Sequence, residues 1–177
     1  MKLKKYFFGI LLIVFISFTV SSCNTEMKQA NVPSSIDEVE EFVDSYYYNS
    51  QTEMQIDTGL DLAYYPIQNS YRVQLTLNNG NIVEFMTLEF DNSESAQKYY
   101  RDNDRLYNVK LMNINTNLPK YKYNSFRTSE GVYITIWQKE NWVIWMKGNS
   151  REDINKVKDE FNKFLVQQNN STHNNSL

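Results

Sequence analysis

With one histidine and one cysteine among 177 residues, the chain has little from which to build the common reactive centres. His173 stands near the C-terminus and Cys23 near the N-terminus. A zinc site of His and Cys ligands, a Ser-His-Asp triad and a Cys-His pair therefore lack their residues. Glycine is also scarce, and none of the five has the spacing of a phosphate-binding loop. A lone cysteine permits no internal disulfide, so a folded domain must be held by its core. Basic residues are outnumbered, 18 Lys and Arg against 21 Asp and Glu, and this balance disfavours nucleic acid as a partner. Paired carboxylates, as in glycosidases, survive the inventory, with Glu84, Glu89 and the pair Asp102 and Asp104 as nominees. Asp102 and Asp104 sit beside Arg101 and Arg105, the pattern of a solvated helix end. Asp91-Asn92-Ser93-Glu94 has the spacing of a helix cap and not of a calcium loop. The expectation is no catalytic residue, no metal and no cofactor.

What the chain does have begins at its N-terminus. Lys2, Lys4 and Lys5 precede an apolar run from Tyr6 to Ile16, which passes through Ser17, Phe18 and Thr19 into Val20-Ser21-Ser22-Cys23. A basic start, an apolar middle and small residues form the layout of an export signal. The apolar part falls short of the ~20 residues needed to span a bilayer. Val20-Ser21-Ser22-Cys23 resembles the lipobox of bacterial lipoproteins. The resemblance is confined to this segment, and implies cleavage before Cys23 and lipid on its thiol. It divides the chain into a signal peptide (1–22), a flexible tether (23–34), a single domain (35–166) and a disordered Asn/Gln-rich tail (167–177). Losing residues 1–22, with three lysines and no acid, takes the formal charge from −3 to −6. Lipid, not charge, is then what holds the protein at the membrane, and two acyl chains suffice for stable anchoring.

The domain reads as α+β. Ser35 and Glu38 fit a capping box at the start of a helix over 36–48, with Ile36, Val39, Phe42, Val43 and Tyr46 at helical spacing. A short strand is expected at Leu60 to Tyr65. Tyr71 to Leu77 alternates apolar and polar residues, turns at Asn79-Gly80 and returns as Ile82 to Phe90. With Asn79 and Gly80 as a two-residue turn, Leu77 faces Ile82, and Glu84 falls opposite Leu75 on the apolar face. That conflict calls for a bulge, an edge position or a partner for Glu84. A second helix follows to about residue 106, then a polar stretch, 107–120, with no clear pattern. Tyr121 to Phe126 suggests a strand, and Val132 to Lys139 with Trp142 to Lys147 a second hairpin around Glu140-Asn141. The last helix carries Ile154, Val157, Phe161, Phe164 and Leu165 on one stripe. Two hairpin-helix units predict a two-layer domain, an antiparallel sheet with helices on one face and the first helix added.

In the second hairpin both faces are apolar, and a two-layer domain covers only one. Either the 107–126 segment covers the other and the tryptophans are core, or Tyr133, Trp137 and Trp142, with Phe85 and Arg72 from the first hairpin, form an exposed aromatic patch. Trp, Tyr and Arg are enriched at binding hot spots. The functional expectation is a non-catalytic accessory protein of the cell envelope, lipid-anchored to the cell membrane on its extracytoplasmic side and binding a protein partner. The alternative is a module binding a small molecule or glycan.

Overall fold

The computed structural model describes residues 30–47, 51–52, 59–107 and 109–174. Cys23 and the export signal lie outside the described residues. The elements, in chain order, are α1 (Ile36–Tyr46), β1 (Gln51–Thr52), β2 (Ile67–Thr76), β3 (Ile82–Phe90), α2 (Ser93–Leu106), β4 (Leu111–Leu118), β5 (Tyr121–Arg127), β6 (Tyr133–Lys139), β7 (Trp142–Gly148) and α3 (Arg151–Asn174). The strands form one antiparallel sheet in the order β1-β2-β3-β7-β6-β5-β4. The α+β class, the two hairpins and the N-terminal helix are as the sequence predicts.

The helices occupy both faces of the sheet, which corrects the two-layer expectation. On one side α1 (Val39, Phe42, Val43) and α3 (Ile154, Val157, Phe161, Phe164, Leu165) cover Val73, Leu75, Val83, Phe85, Trp137, Ile144 and Met146. On the other, Ala96, Tyr99 and Tyr100 of α2 cover Met86, Leu88, Phe90, Ile134, Ile136, Val143 and Trp145. The doubly apolar second hairpin requires this. Alternate residues of β6 and β7 point to opposite faces, and each face needs its own cover. Were the hairpin-helix units related by a two-fold axis normal to the sheet, as β3–β7 pairing would allow, both helices would share a face. They do not, so the units are alike in order only.

The first hairpin resolves the Glu84 conflict by a shift of one residue. Thr76 pairs with Ile82, Leu75 with Val83 and Gln74 with Glu84. The loop has three residues, because Gly80 N donates to Leu77 O and Leu77 N to Asn81 O, both at 2.9 Å. Gly80 has φ 81°, a left-handed conformation that glycine takes without steric cost. Asn79 and Asn81 also donate through their side-chain amides to the two carboxylate oxygens of Asp153 at 3.0 and 2.7 Å, tying the turn to α3. Glu84 leaves the Leu75 face and meets Lys147 at 3.3 Å on β7.

Other local expectations give way to side-chain hydrogen bonds. Glu38 accepts from the N and Oγ of Ser34 (2.8 and 2.6 Å), while the Ser35 side chain makes no cap bond. Ser34 offers both donors one residue earlier than the expected box. Leu62–Tyr64 is a 3₁₀ turn, not part of a strand, because Asp61 accepts from Ala63 N at 3.0 Å and so favours a turn. Asn92 caps α2 as anticipated, accepting from Ser95 N at 2.9 Å.

The domain is longer than 35–166 at both ends. Ala30, expected in the tether, is buried and donates through its N–H to the Tyr121 hydroxyl at 3.2 Å. Asn31 N donates to Asn162 Oδ1 at 2.6 Å, and Trp137 Nε1 donates to Asn31 O at 3.0 Å. Residues 30–34 thus form a strap lying on the sheet and α3. At the other end α3 continues to Asn174, beyond the expected tail boundary at 167. Gln168 Nε2 donates to Glu41 Oε1 of α1 at 2.8 Å, so the polar extension has a partner on the domain.

Trp137 is fully buried and carries the strap contact, and Trp142 is 3% exposed in the same core cluster. Trp137→Ala and Trp142→Ala are each expected to cost about 3–5 kcal/mol of unfolding free energy in denaturant titrations. Trp137→Phe should recover most of the packing and none of the Asn31 bond.

The buried tyrosines set an alkaline limit. Burial pushes the Tyr121 hydroxyl up to about 12, against the lowering effect of the Ala30 hydrogen bond. Burial, with the hydrogen bond to Asp102 and its charge, pushes Tyr65 to about 12. Tyr47 is raised further by burial and by its bond to the Glu160 carboxylate. The unfolded chain ionises tyrosine near ~10, so between pH ~10 and ~12 it binds fewer protons than the folded one, and stability falls as pH rises. The stabilisation is intact below pH ~10. Denaturant midpoints measured across this window should decline for the wild type and decline less for Tyr121→Phe.

Candidate functional site

The residues proposed from sequence as an exposed aromatic patch are mostly core. Phe85 and Trp137 are fully buried, Trp142 nearly so, and Tyr133 is partly buried against the same cluster under α1 and α3. Arg72, intermediate in exposure, is on β2 opposite Met86 and so points to the α2 face, away from them. The patch does not exist because α1 and α3 lie over it. Of the two readings open from sequence, the tryptophans of the nominated patch are core, and α1 and α3, not the 107–126 segment, cover them.

The nominated carboxylates do not converge. Asp102 accepts from Tyr65 Oη at 3.0 Å and pairs with Lys98 (3.3 Å) and Arg105 (3.7 Å). Asp104 accepts from Lys110 Nζ and from Nδ2 of the buried Asn124. Burial and the Asp104 charge raise the nearby Tyr100 hydroxyl above the usual phenol range. Residues two apart on a helix do not face each other, so these two acids serve separate contacts. Glu89 accepts from Asn69 and Asn141 (2.7 and 3.4 Å), and Glu84 is held by Lys147. Among the described residues no cluster of His, Cys, Asp and Glu has metal-site geometry.

Exposed apolar surface collects instead in the segment that lacks a clear pattern in the sequence. Of the ten exposed large apolar side chains among the described residues, five lie within 109–118: Val109, Leu111, Met112, Ile114 and Leu118. Most of this segment is β4, the terminal strand of the sheet among the described residues, where it pairs with β5. Opposed residues share a face. Ile114 (opposite Ser125), Thr116 (opposite Tyr123) and Leu118 (opposite Tyr121) therefore stand on the α1/α3 side, and Asn115 and Asn117 on the other. A bulge at Met112 (φ 51°) and Pro119 bound the regular stretch to Ile114–Leu118.

Edge strands in soluble proteins are usually guarded by charge, proline or a bulge, because their free N–H and C=O groups template pairing. Here the guards stand at the two ends, and Leu111–Leu118 contains no charged residue. The floor beside it is aromatic. Tyr121 and Tyr123 stack with centroids 6.4 Å apart, and Lys158 of α3 lies 5.5 Å from the Tyr123 ring. The legible signal was the alternation Ile114-Asn115-Thr116-Asn117-Leu118 before Pro119. The bulge, by inserting a residue at Met112, broke that period upstream. Chemically the arrangement offers backbone pairing along one strand and an apolar strip on one face, with no reactive group.

No helix among the described residues is long and apolar enough to cross a membrane. No protein-family model matches the chain, and no curated protein sequence does. Solved structures that match include the extracellular domain of PknH from Mycobacterium tuberculosis, at 10% identity and TM-score 0.40, covering 81% of this chain and 97% of that one. That likeness is too weak to bear on fold or location. A GTP-binding regulator from Thermotoga maritima matches at 13% identity and TM-score 0.55, covering 77% of this chain and 93% of that one, and this likeness is one of fold alone.

Proposed function

We propose that the chain is a lipid-anchored, extracytoplasmic accessory protein of the cell envelope that has no catalytic role and binds a protein partner through the β4 edge. The observation carrying this reading is the exposed apolar side chains Leu111, Met112, Ile114 and Leu118 on a strand with no charged residue, at the end of the sheet among the described residues. The lipid on Cys23 rests on the lipobox-like residues Val20-Ser21-Ser22-Cys23 after a basic and apolar start.

The strap gives the two halves of the proposal a common geometry. Ala30 is bonded to Tyr121, the β4 partner of Leu118. Only residues 24–29 separate it from Cys23, and seven extended residue steps reach at most about 25 Å. A lipid at Cys23 would keep the Leu118 end of the edge near the bilayer, where a membrane-bound neighbour is concentrated.

Two measurements test the reading. Radiolabelled fatty acid should enter the wild-type chain and not Cys23→Ala, and the variant should leave the membrane fraction; equal labelling of both overturns the anchor. The paired substitution Ile114→Lys and Leu118→Lys should leave unfolding free energy within about 0.5 kcal/mol, as for other surface changes. It should also abolish co-purification of the partner after crosslinking in intact cells. An unchanged set of crosslinked proteins overturns the edge as the binding surface.

A further inference from the structure

We propose that Tyr121, Trp137 and Asn162 form a binding site for an extended, proline-containing peptide, a site that the chain closes with its own residues 30–33 and that takes a like segment of another polypeptide in their place. The three side chains come from β5, β6 and α3. Tyr121 and Trp137 stand on the α1/α3 side of the sheet. Trp137 is opposite Tyr123, and the Tyr123 ring stacks beside that of Tyr121 at 6.4 Å between centroids. Asn162 reaches the same strap from α3.

What these groups read is main chain. The Tyr121 hydroxyl accepts from Ala30 N (3.2 Å), Asn162 Oδ1 accepts from Asn31 N (2.6 Å), and Trp137 Nε1 donates to Asn31 O (3.0 Å). Main-chain bonds supply affinity for any extended segment, and pockets for its side chains supply the choice. Ala30 is 3% exposed, Val32 packs on the core cluster, Pro33 is buried and Asn31 is half-buried. The pattern taken is therefore a small residue, a polar one, an aliphatic one and proline. Proline holds the residue before it in extended backbone. An aromatic floor with an indole N–H suits such a segment, because little ordering entropy is lost when it binds.

The strap can leave without unfolding the domain. Each of its three bonds has a side chain as partner, and Ser34 beside it is held separately, its N and Oγ both donating to Glu38 (2.8 and 2.6 Å). The first turn of α1 thus keeps its contact when 30–33 detach, as a local opening at the N-terminal border of the domain. Opening leaves an indole N–H, a hydroxyl and an amide oxygen unpaired in an aromatic recess, where an unmade bond is costly. The empty site therefore favours refilling. The tethered strap competes at high effective concentration, so a guest binds in proportion to the open fraction. None of this uses the Leu111–Leu118 strand, and its failure would leave partner binding there untouched.

The test uses the full-length chain with its strap evicted by Ala30→Arg and Asn31→Pro, which place a long cation at the buried position and remove the N–H given to Asn162. Near-ultraviolet circular dichroism and a cooperative urea transition confirm folding. The probe is the peptide Ala-Asn-Val-Pro-Ser, labelled with fluorescein through an N-terminal amide and followed by fluorescence anisotropy. The evicted chain should bind it at least about tenfold more tightly than wild type. Adding Trp137→Phe should weaken that binding about tenfold through loss of the indole donor, and a Leu-Asn-Val-Pro-Ser probe should bind about tenfold more weakly because the Ala30 position is tight. No binding by the folded, evicted chain overturns the proposal, as does equal affinity for the Leu probe or indifference to Trp137→Phe. Should the evicted chain fail to fold, hydrogen exchange of the wild type decides: the amides of Ala30 and Asn31 should exchange at least about tenfold faster than those of β6. Exchange of the two only through global unfolding overturns the proposal. A wild-type dimer made monomeric by Ala30→Arg would give the site to a second copy's strap and overturn a separate guest.

Discussion

Seven residue pairs between β3 and β7, from Val83–Gly148 to Glu89–Trp142, join the first hairpin to the second, and every other layer depends on that seam. It brings Phe85 beside Met146 on one face and Met86 beside Trp145 on the other. Two interdigitated apolar surfaces are thereby created at once, and neither hairpin alone is wide enough to make them. A sheet apolar on both sides is stable only when both are covered. That condition places α1 and α3 on one face and α2 on the other, and sends the exposed surface outward to the strand farthest along the β7-β6-β5-β4 arm. The candidate site lies at that far end, where cover runs out.

Periodicity made much of this readable. Alternation in Tyr71–Leu77 and in β6–β7, and the helical stripe of Ile154, Val157, Phe161, Phe164 and Leu165, each depend on one residue after another facing a fixed direction. Such patterns survive without knowledge of the tertiary fold. Facts that depend on which elements meet were not readable. The hairpin register shifted by one because Gly80 completed a three-residue loop and Asp153, from a distant helix, held both asparagines beside it. The strap looked like linker because its stabilising partners, Tyr121, Trp137 and Asn162, are far away in sequence. The polar end of α3 looked disordered by composition alone.

The site was the least readable part for a related reason. Tyr133, Trp137, Trp142 and Phe85 have the residue types of a recognition surface, and the same types fill cores. Composition cannot choose between those roles; only the count of covering layers can. Conversely the segment that emerged as the exposed edge is Asn-rich and interrupted by a bulge. Its apolar residues are too few for a buried strand and too regular for a loop. An edge strand has this mixed character, since one side of it answers to a neighbour and the other to solvent.

The strap also fixes an order of events. Asn31 is bonded to Asn162, 131 positions later in the chain, and Tyr47 to Glu160, 113 later. A polypeptide that crosses a membrane N-terminus first delivers Phe42 and the strap long before Phe161 and Asn162 exist on the far side to receive them. In a chain exported that way, the part of α1 that packs on α3 would wait, uncovered, until α3 emerges. Closing such distant contacts is slow compared with local hairpin formation, and uncovered apolar surface is where aggregation starts. In this architecture the last segment to arrive is the one that seals the first.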